Sequence, residues 1–374
     1  MFEIKSKKEK ARTGVLKTKN GEIATPFFMP DATRGFARSL SKNDLENIKV
    51  GPMVVNTYHL YLQPGMELIK KAGGINKFMN WDSPLLSDSG GYQVFSLIHK
   101  NPKMGKITDN EVIFKSPIDG KKHILTPEKA IQIQFDLGVD MMVCLDDPPP
   151  NNYPKEKIKK AVERTIAWAR RCKIEYEKQI KLRKISEENK PLIFGVIQGG
   201  EYLDLRKYCA DELVKIGFDG YGFGARHLDN DGNFMEEIVR ETANFIPENS
   251  LRFALGIGTP EDIVRAVNLS WDMFDCVIPT REGRHGRLFI KNVETQNFAS
   301  LDKKNKFYET ININNQKFAE DFSPIDKNCD CELCQNYTRA YLHHIFALKD
   351  PLAMRLASMH NLKFYMNLME ELRS

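Results

Sequence analysis

Three features of the sequence predict an α/β protein built as a closed (β/α)8 TIM barrel with an added metal-binding subdomain near the C-terminal end. Short apolar runs rich in strand formers recur eight times, most of them separated by segments with helical spacing. Polar residues, several of them acids, stand at or just past the ends of those runs. Cys329, Cys331 and Cys334 crowd into six residues. A chain of 374 residues has room for a barrel of about 250 residues plus such an addition.

The elements follow in order. Asn20-Gly21 between Val15–Thr18 and Glu22–Thr25 predicts an N-terminal hairpin. The eight barrel strands are expected at Phe27–Met29, Met53–Asn56, Leu85–Asp88, Met141–Asp146, Leu192–Gln198, Gly220–Phe223, Arg252–Gly256 and Phe274–Pro279. Continuous apolar runs mark strands buried on both faces, and helices between them mark a parallel sheet. The clearest helix is expected over Pro154–Glu187, where Ile158, Val162, Ile166, Ala169 and Cys172 recur three or four apart among Lys, Arg and Glu. Thr259-Pro260-Glu261-Asp262 opens another, with Thr259 as N-cap, Pro260 in the first turn and acids that suit the helix dipole. Residues 1–290 are expected to hold the barrel with its hairpin, and 291–374 the metal-binding subdomain and closing helices.

Composition narrows the class. Hydrophobic residues at 41% and charged residues at 28% are ordinary globular usage, which excludes wholesale disorder. Apolar runs such as Met141–Leu145 fall far short of the roughly 20 residues of a membrane span, so no membrane association is expected. The charged segment Met1–Arg12 lacks the apolar centre of a secretory signal. A soluble, cytoplasmic protein is expected. A net charge of +5 permits a nucleic-acid partner where the cations cluster, and does not by itself require one.

Of the seven cysteines, Cys144, Cys172, Cys209 and Cys276 are dispersed among apolar or helical neighbours and are expected reduced in or near a core. The odd total and the tight cluster favour metal binding over a disulfide framework. Cys329, Cys331 and Cys334 supply three thiolates, and tetrahedral zinc requires a fourth ligand. His343, His344 and His360 are the candidates; His360 is favoured because the helical stretch Asn336–Leu348 can fold the chain back before it. Three free thiols on a loop are the plainer alternative, and an oxidation liability. Four protein ligands leave no open position, so the zinc is expected to be structural.

The barrel rim carries the chemistry. Asp88, Asp146, Gln198, Gly224 and Asp275 end apolar runs, and in barrel enzymes that rim holds the active site. Gly90-Gly91 after Asp88 could cradle a phosphate, but no P-loop lysine follows; Asp88 could equally only cap the turn. Asp146-Asp147 precede three prolines and could be merely solvated. Asp275 lies within a buried apolar run, costly for an acid unless paired or functional. A Gly-punctuated loop with Arg281, Arg284, His285 and Arg287 follows, suited to phosphate or RNA. Cys276 has no identifiable base beside it and is read as a packed residue.

Asn56-Thr57-Tyr58-His59-Leu60, the run from Asp88 to Val94, Phe218-Asp219-Gly220-Tyr221, the run from Met273 to Arg284 and the cysteine cluster together resemble the tRNA-guanine transglycosylase (queuine tRNA-ribosyltransferase) family, from about Gly14 to the C-terminus. The resemblance implies a (β/α)8 barrel with a zinc-binding insertion, one structural zinc per chain and a homodimer. It implies exchange of guanine at the wobble position of a tRNA anticodon stem-loop for a free 7-deazaguanine base, in the queuosine pathway. By the same resemblance Asp275 attacks the anomeric carbon and holds the tRNA covalently, while Asp88 is the general acid/base. Asp146 takes the Watson–Crick face of the purine, with Gln198, Gly224 and the Ala225 N–H towards its carbonyl side. Tyr92 and Leu255 sandwich the base, and Thr280, Arg281 and Arg284 grip flanking nucleotides. Retaining glycosidic chemistry independently calls for one carboxylate nucleophile and one acid/base group, and no organic cofactor.

Two loops depart from the family's usual pattern. Gly224-Ala225-Arg226-His227-Leu228-Asp229-Asn230 replaces Gly-Gly-Leu-Ala-x-Gly-Glu, and Asp146-Asp147-Pro148-Pro149-Pro150 replaces Asp-Glu-Cys-x-Pro. The incoming base is therefore left open among the aminomethyl precursor, queuine and the nitrile form, with Arg226 and His227 expected to set the preference. Three other readings stand beside this one: a non-catalytic RNA-binding subunit, an offshoot acting on DNA or another RNA, and a zinc hydrolase. The retained Asp88 and Asp275 count against the first, the run Thr280 to Arg284 against the second, and a closed four-ligand metal against the third.

Overall fold

The computed structural model describes residues 2–150, 153–292 and 307–374. Eight strands form one parallel sheet: β1 (Phe27–Pro30), β2 (Met53–Asn56), β3 (Leu85–Asp88), β4 (Met141–Val143), β5 (Leu192–Ile197), β6 (Gly220–Phe223), β7 (Leu251–Leu255) and β8 (Met273–Cys276). The order is β1-β8-β7-β6-β5-β4-β3-β2. A parallel bridge between Asp31 and Val54, with the Ala32 N–H donating to the Val54 carbonyl at 2.7 Å, draws β1 and β2 together and closes the barrel. All eight expected strands are present, though β4 and β8 stop three residues short of their apolar runs.

Alternation along each strand separates two cores. Phe27, Met29, Val54, Leu86, Met141, Val143, Phe194, Val196, Phe253 and Met273 point inward and pack together. Their neighbours Phe28, Met53, Val55, Leu85, Met142, Ile193, Tyr221, Phe223, Ala254 and Phe274 pack outward with the helices. On β6 the inward positions are glycines, and a Cβ at Gly220 would come within 2.5 Å of the Phe194 ring. The bulk of Phe194 thus fills the space that β6 leaves.

The N-terminal hairpin gains a third strand, Phe2–Lys8, to make an antiparallel sheet with Ala11–Thr18 and Gly21–Thr25. Its Leu16 and Ile23 join the inward core and plug the barrel's N-terminal end. The turn lies one residue earlier than the Asn20-Gly21 signal implies, because Thr18 pairs with Gly21 and leaves Lys19 and Asn20 as the loop. Asn20 is held there by Asp140, which accepts from its backbone N–H at 3.0 Å and its side-chain amide at 3.1 Å. A second antiparallel sheet, Gly105–Ile107, Val112–Lys115 and Lys122–Leu125, interrupts the β/α rhythm after β3 and was not apparent from the sequence.

The long helix runs over Lys155–Leu182, ending earlier than expected as Lys184 turns into left-handed backbone at φ 52°. Thr259 caps its helix as expected, accepting from the Asp262 N–H at 3.2 Å. The C-terminal part has its own core of Leu288, Ile290, Ile313, Phe318, Ile325, Leu333 and Leu342. The helix Pro351–Arg373 belongs to both cores: Leu356 and Ala357 face the smaller, Met359, Leu362 and Tyr365 the larger. The strand Arg287–Lys291 runs across residue 290, with Leu288 and Ile290 in the smaller core and Phe289 in the larger. No helix among the described residues is long and apolar enough to cross a membrane.

Candidate active site

A cleft of about 1060 Å³ opens at the C-terminal end of the strands. Above the apolar layer, the inward positions become polar. Asp31 follows Met29, Asn56 follows Val54, Asp88 follows Leu86, Gln198 follows Val196 and Asp275 follows Met273, each two residues on. Gly224 and Leu255 fill the same level on β6 and β7, and Asp146 reaches it just past β4. The strand period thus brings together the expected Asp88, Asp146, Gln198, Gly224, Leu255 and Asp275.

Asp88 accepts from the Asn56 side-chain amide at 2.5 Å, the Thr57 N–H at 3.3 Å and the Gly90 N–H at 3.0 Å. Burial outweighs these donors and lifts its carboxyl to about 7, with the Asp275 charge adding to the rise. Gly90 can donate because it takes φ 76° close to Tyr58, where a Cβ would lie 2.8 Å from the Tyr58 nitrogen. Asp275 accepts from the Gly256 N–H at 2.9 Å; burial, helped by Asp31, lifts it to about 6. Cys276 beside it is pushed up by burial to about 12 and is a neutral thiol.

Asp146 and Asp147 are separated by the fold. Asp147 pairs with Arg164 on the long helix, while Asp146 accepts from Gln198 Nε2 at 2.7 Å. Burial, with the Asp147 charge, raises Asp146 to about 7. Gln198 is fully buried, and its Oε1 meets no donor. With one amide N–H on Asp146, Gln198 keeps an unengaged carbonyl oxygen as an acceptor. A Cβ on Gly224 would fall 2.4 Å from Gln198 Nε2, so only glycine leaves the amide in place. Ala225 follows in left-handed backbone at φ 70°, a strain of about 1 kcal/mol or more held at the cleft. Arg206, fully buried, braces both strand ends by donating to the Gly200 carbonyl at 2.7 Å and the Gly224 carbonyl at 3.1 Å.

Tyr92 lies on the cleft wall and is 66% exposed. The expected arginine loop is instead a helix, Ile278–Arg284, packed so closely on Pro351–Arg373 that a Cβ at Gly283 would come within 2.8 Å of Ser358. Arg281 reaches the cleft, and Arg284 is held below its ordinary pKa by burial and by the charges of Arg38 and Arg281. Thr280 is buried with its hydroxyl on the Val277 carbonyl at 3.2 Å, so it stands behind the arginines rather than at the surface. Asp31, Asn56 and Arg206 were missed as site residues. Counting on by two from Met29 and Val54 would have found the first two; nothing in the sequence marks Arg206.

The second constellation is Cys329, Cys331, Cys334 and His360, all buried, with ligand atoms within 4.8 Å of one another. His360 Nδ1 lies 3.5 Å from the Cys331 sulfur and 3.3 Å from that of Cys334. His360 Nε2 is 2.7 Å from the Phe289 carbonyl, which only accepts. The ring proton therefore sits on Nε2, and the Nδ1 lone pair faces the thiols, as a metal ligand must. Hydrogen bonds from Cys329 and Cys334 pull the Cys331 thiol well below its ordinary value. Three thiolates and an oriented imidazole can hold a metal ion with no position left open. His343 turns instead to the Ile313 carbonyl.

A parallel barrel with carboxylates converging on the C-terminal cleft defines a barrel enzyme. A family model described as Queuine tRNA-ribosyltransferase matches residues 6–374. The chain is 42% identical over 364 residues to the queuine tRNA-ribosyltransferase of Halothermothrix orenii, covering 97% of this chain and 90% of that one. It is 41% identical over 369 residues to that of Caldanaerobacter subterraneus subsp. tengcongensis, covering 99% and 91%. For the Staphylococcus aureus (strain JH9) enzyme of the same name the figures are 40% over 367 residues, 98% and 89%. The chain belongs to the queuine tRNA-ribosyltransferase family and is a pentosyltransferase.

Proposed function

We propose that this enzyme exchanges guanine in a tRNA anticodon loop for a 7-deazaguanine base through a covalent enzyme–RNA intermediate. The observation that carries the reading is the buried Asp146–Gln198 pair with its unfilled Gln198 acceptor. The Watson–Crick edge of guanine or a 7-deazaguanine carries adjacent N–H donors, which the Asp146 carboxylate and Gln198 Oε1 can accept. Its carbonyl then faces the Gly224–Ala225 backbone, and Tyr92 and Leu255 take its two faces. Such edge contacts and stacking offset the few kcal/mol needed to extrude a base.

The chemistry follows from the two remaining acids. The Asp275 carboxylate attacks the anomeric carbon as the glycosidic C–N bond breaks, and the Asp88 proton passes to the departing guanine. The incoming base returns its ring N–H proton to Asp88 and displaces Asp275, so configuration is retained over two inversions. Arg281 and Arg284 hold the phosphates beside the target, with Thr280 supporting their helix. The cysteines and His360 would hold a structural zinc, which supplies cross-linking and no step of the reaction. A homodimer is part of the same reading.

Radiolabelled guanine should enter a guanine-bearing anticodon stem-loop RNA and not a DNA of equal length, with the strongest competitor among the deazaguanines naming the physiological base. A folded, metal-loaded protein that incorporates no label into the RNA would refute the reading.

Because Asp275 must be ionised and Asp88 protonated, kcat/KM should follow a narrow bell. The acid limb lies near 6, where Asp275 gains its proton, and the alkaline limb near 7, where Asp88 loses its own. Both limbs belong to the interacting pair rather than to either residue alone. A profile measured across that range on the stem-loop checks this, and a flat one would show that these acids do not limit the reaction.

A further inference from the structure

We infer that Asp31 is a substrate-contacting residue of this same site, accepting the 2′-hydroxyl of the ribose under attack and so selecting RNA at the target nucleotide. The inference rests on the transglycosylase reading above and adds to it a residue whose role that chemistry did not require.

The geometry starts from the register of β8 on β1. Asp275 pairs with Met29 and Cys276 with Pro30. Phe27 and Met29 point into the barrel, so Asp31, two residues on, points the same way one level higher and lines the cleft. Its backbone is fixed there by the bridge to Val54 that closes the barrel seam. Its side chain is fixed as well, because Oδ1 accepts from the Thr33 N–H at 3.0 Å and from the Thr33 hydroxyl. Only Oδ1 is engaged in this way, which leaves Oδ2 as an acceptor directed by a held carboxylate. The proximity to the nucleophile is electrostatically visible, since the charge of Asp31 contributes to the raised pKa of Asp275. The carboxylate also lies near enough to Arg284 and His59 to favour their charged forms, at the meeting of the acidic floor and the basic rim.

Adjacent strands are about 4.8 Å apart. With the anomeric carbon at Asp275, the sugar's hydroxyl within that spacing is the one on the next carbon, O2′. A carboxylate accepting from that hydroxyl does two things. It gains strength as positive charge develops on the ring in the oxocarbenium-like transition state. It also distinguishes ribose from deoxyribose, which has no donor there. An apolar side chain at residue 31 would do neither.

The test uses two anticodon stem-loop RNAs that differ only by a 2′-deoxy sugar at the target guanosine, with radiolabelled guanine exchange as the readout. Wild-type enzyme should prefer the ribo substrate by about 10- to 100-fold in kcat/KM, the range of a hydrogen bond to a charged group. Asp31→Ala should lose that ratio, its two substrates falling within about threefold of each other, and Asp31→Asn, which keeps one carbonyl acceptor, should retain part of it. A wild-type ratio near one overturns the inference without any variant. So does a ratio in Asp31→Ala equal to that of wild type, or an equal slowing of both substrates, which would mark Asp31 as purely structural. Wild-type enzyme that is folded yet exchanges guanine into neither RNA overturns the underlying reading along with it, and is told apart by that shared failure.

Discussion

Asp275→Ala is expected to lower guanine exchange by at least about 10³-fold and to abolish the covalent RNA adduct altogether. The adduct can be read directly, as RNA-bound enzyme on a denaturing gel. Wild-type protein mixed with the stem-loop should show it, and added base should chase it away. Asp275 is half-buried at the end of β8, lines the cleft and accepts from the Gly256 N–H through one carboxylate oxygen. The neighbouring Cys276 is no substitute, since burial holds its thiol neutral. Persistence of an adduct in Asp275→Ala would move the nucleophile elsewhere, and Asp88 would be the first residue to examine. Asp88→Asn is the informative companion, because it removes the proton carrier and leaves the attacking carboxylate in place.

Stripping the metal, or replacing Cys334 with serine, is expected to lower Tm by about 10 °C or more, because structural zinc of this ligand type contributes many kcal/mol to folding. Elemental analysis of the purified protein should find close to one zinc per chain. Exchange activity should fall with it, although the cluster lies outside the cleft. The path is structural: His360 sits on Pro351–Arg373, and that helix backs Ile278–Arg284 through the Gly283–Ser358 contact and the Asn361 amide, which donates to the Pro279 carbonyl at 3.0 Å. A stripped protein with unchanged Tm would mean that the three thiols and His360 are held by packing alone.

The barrel was legible because each of its strands is a short buried run, and burial on both faces leaves a continuous apolar signal. The antiparallel sheet after β3 was not legible, since strands such as Gly105–Ile107 and Lys122–Leu125 are short, partly exposed and mixed in composition. At the site, residues whose type is costly inside a core announced themselves: Asp88, Asp146, Asp275. Their partners did not. Asn56 holds Asp88, and Arg206 ties two strand ends, through contacts across 32 and 18 residues of sequence. The arginine segment was misjudged for a related reason. Its glycine reads locally as freedom, whereas in the fold Gly283 is the gap that lets two helices touch.

The helix Pro351–Arg373 also joins the two ends of the described chain. Its Tyr365 ring packs 4.8 Å from Phe28 on β1, and Arg373 donates to the Pro26 carbonyl at 2.8 Å. The outer wall of the first strand is thus supplied by a helix that touches it across 347 residues of sequence. Residues 351–373 thus cover β1 from outside and, through the Gly283–Ser358 contact, hold the helix that follows β8. Closure of the barrel is therefore a property of the whole described chain rather than of its β/α units alone.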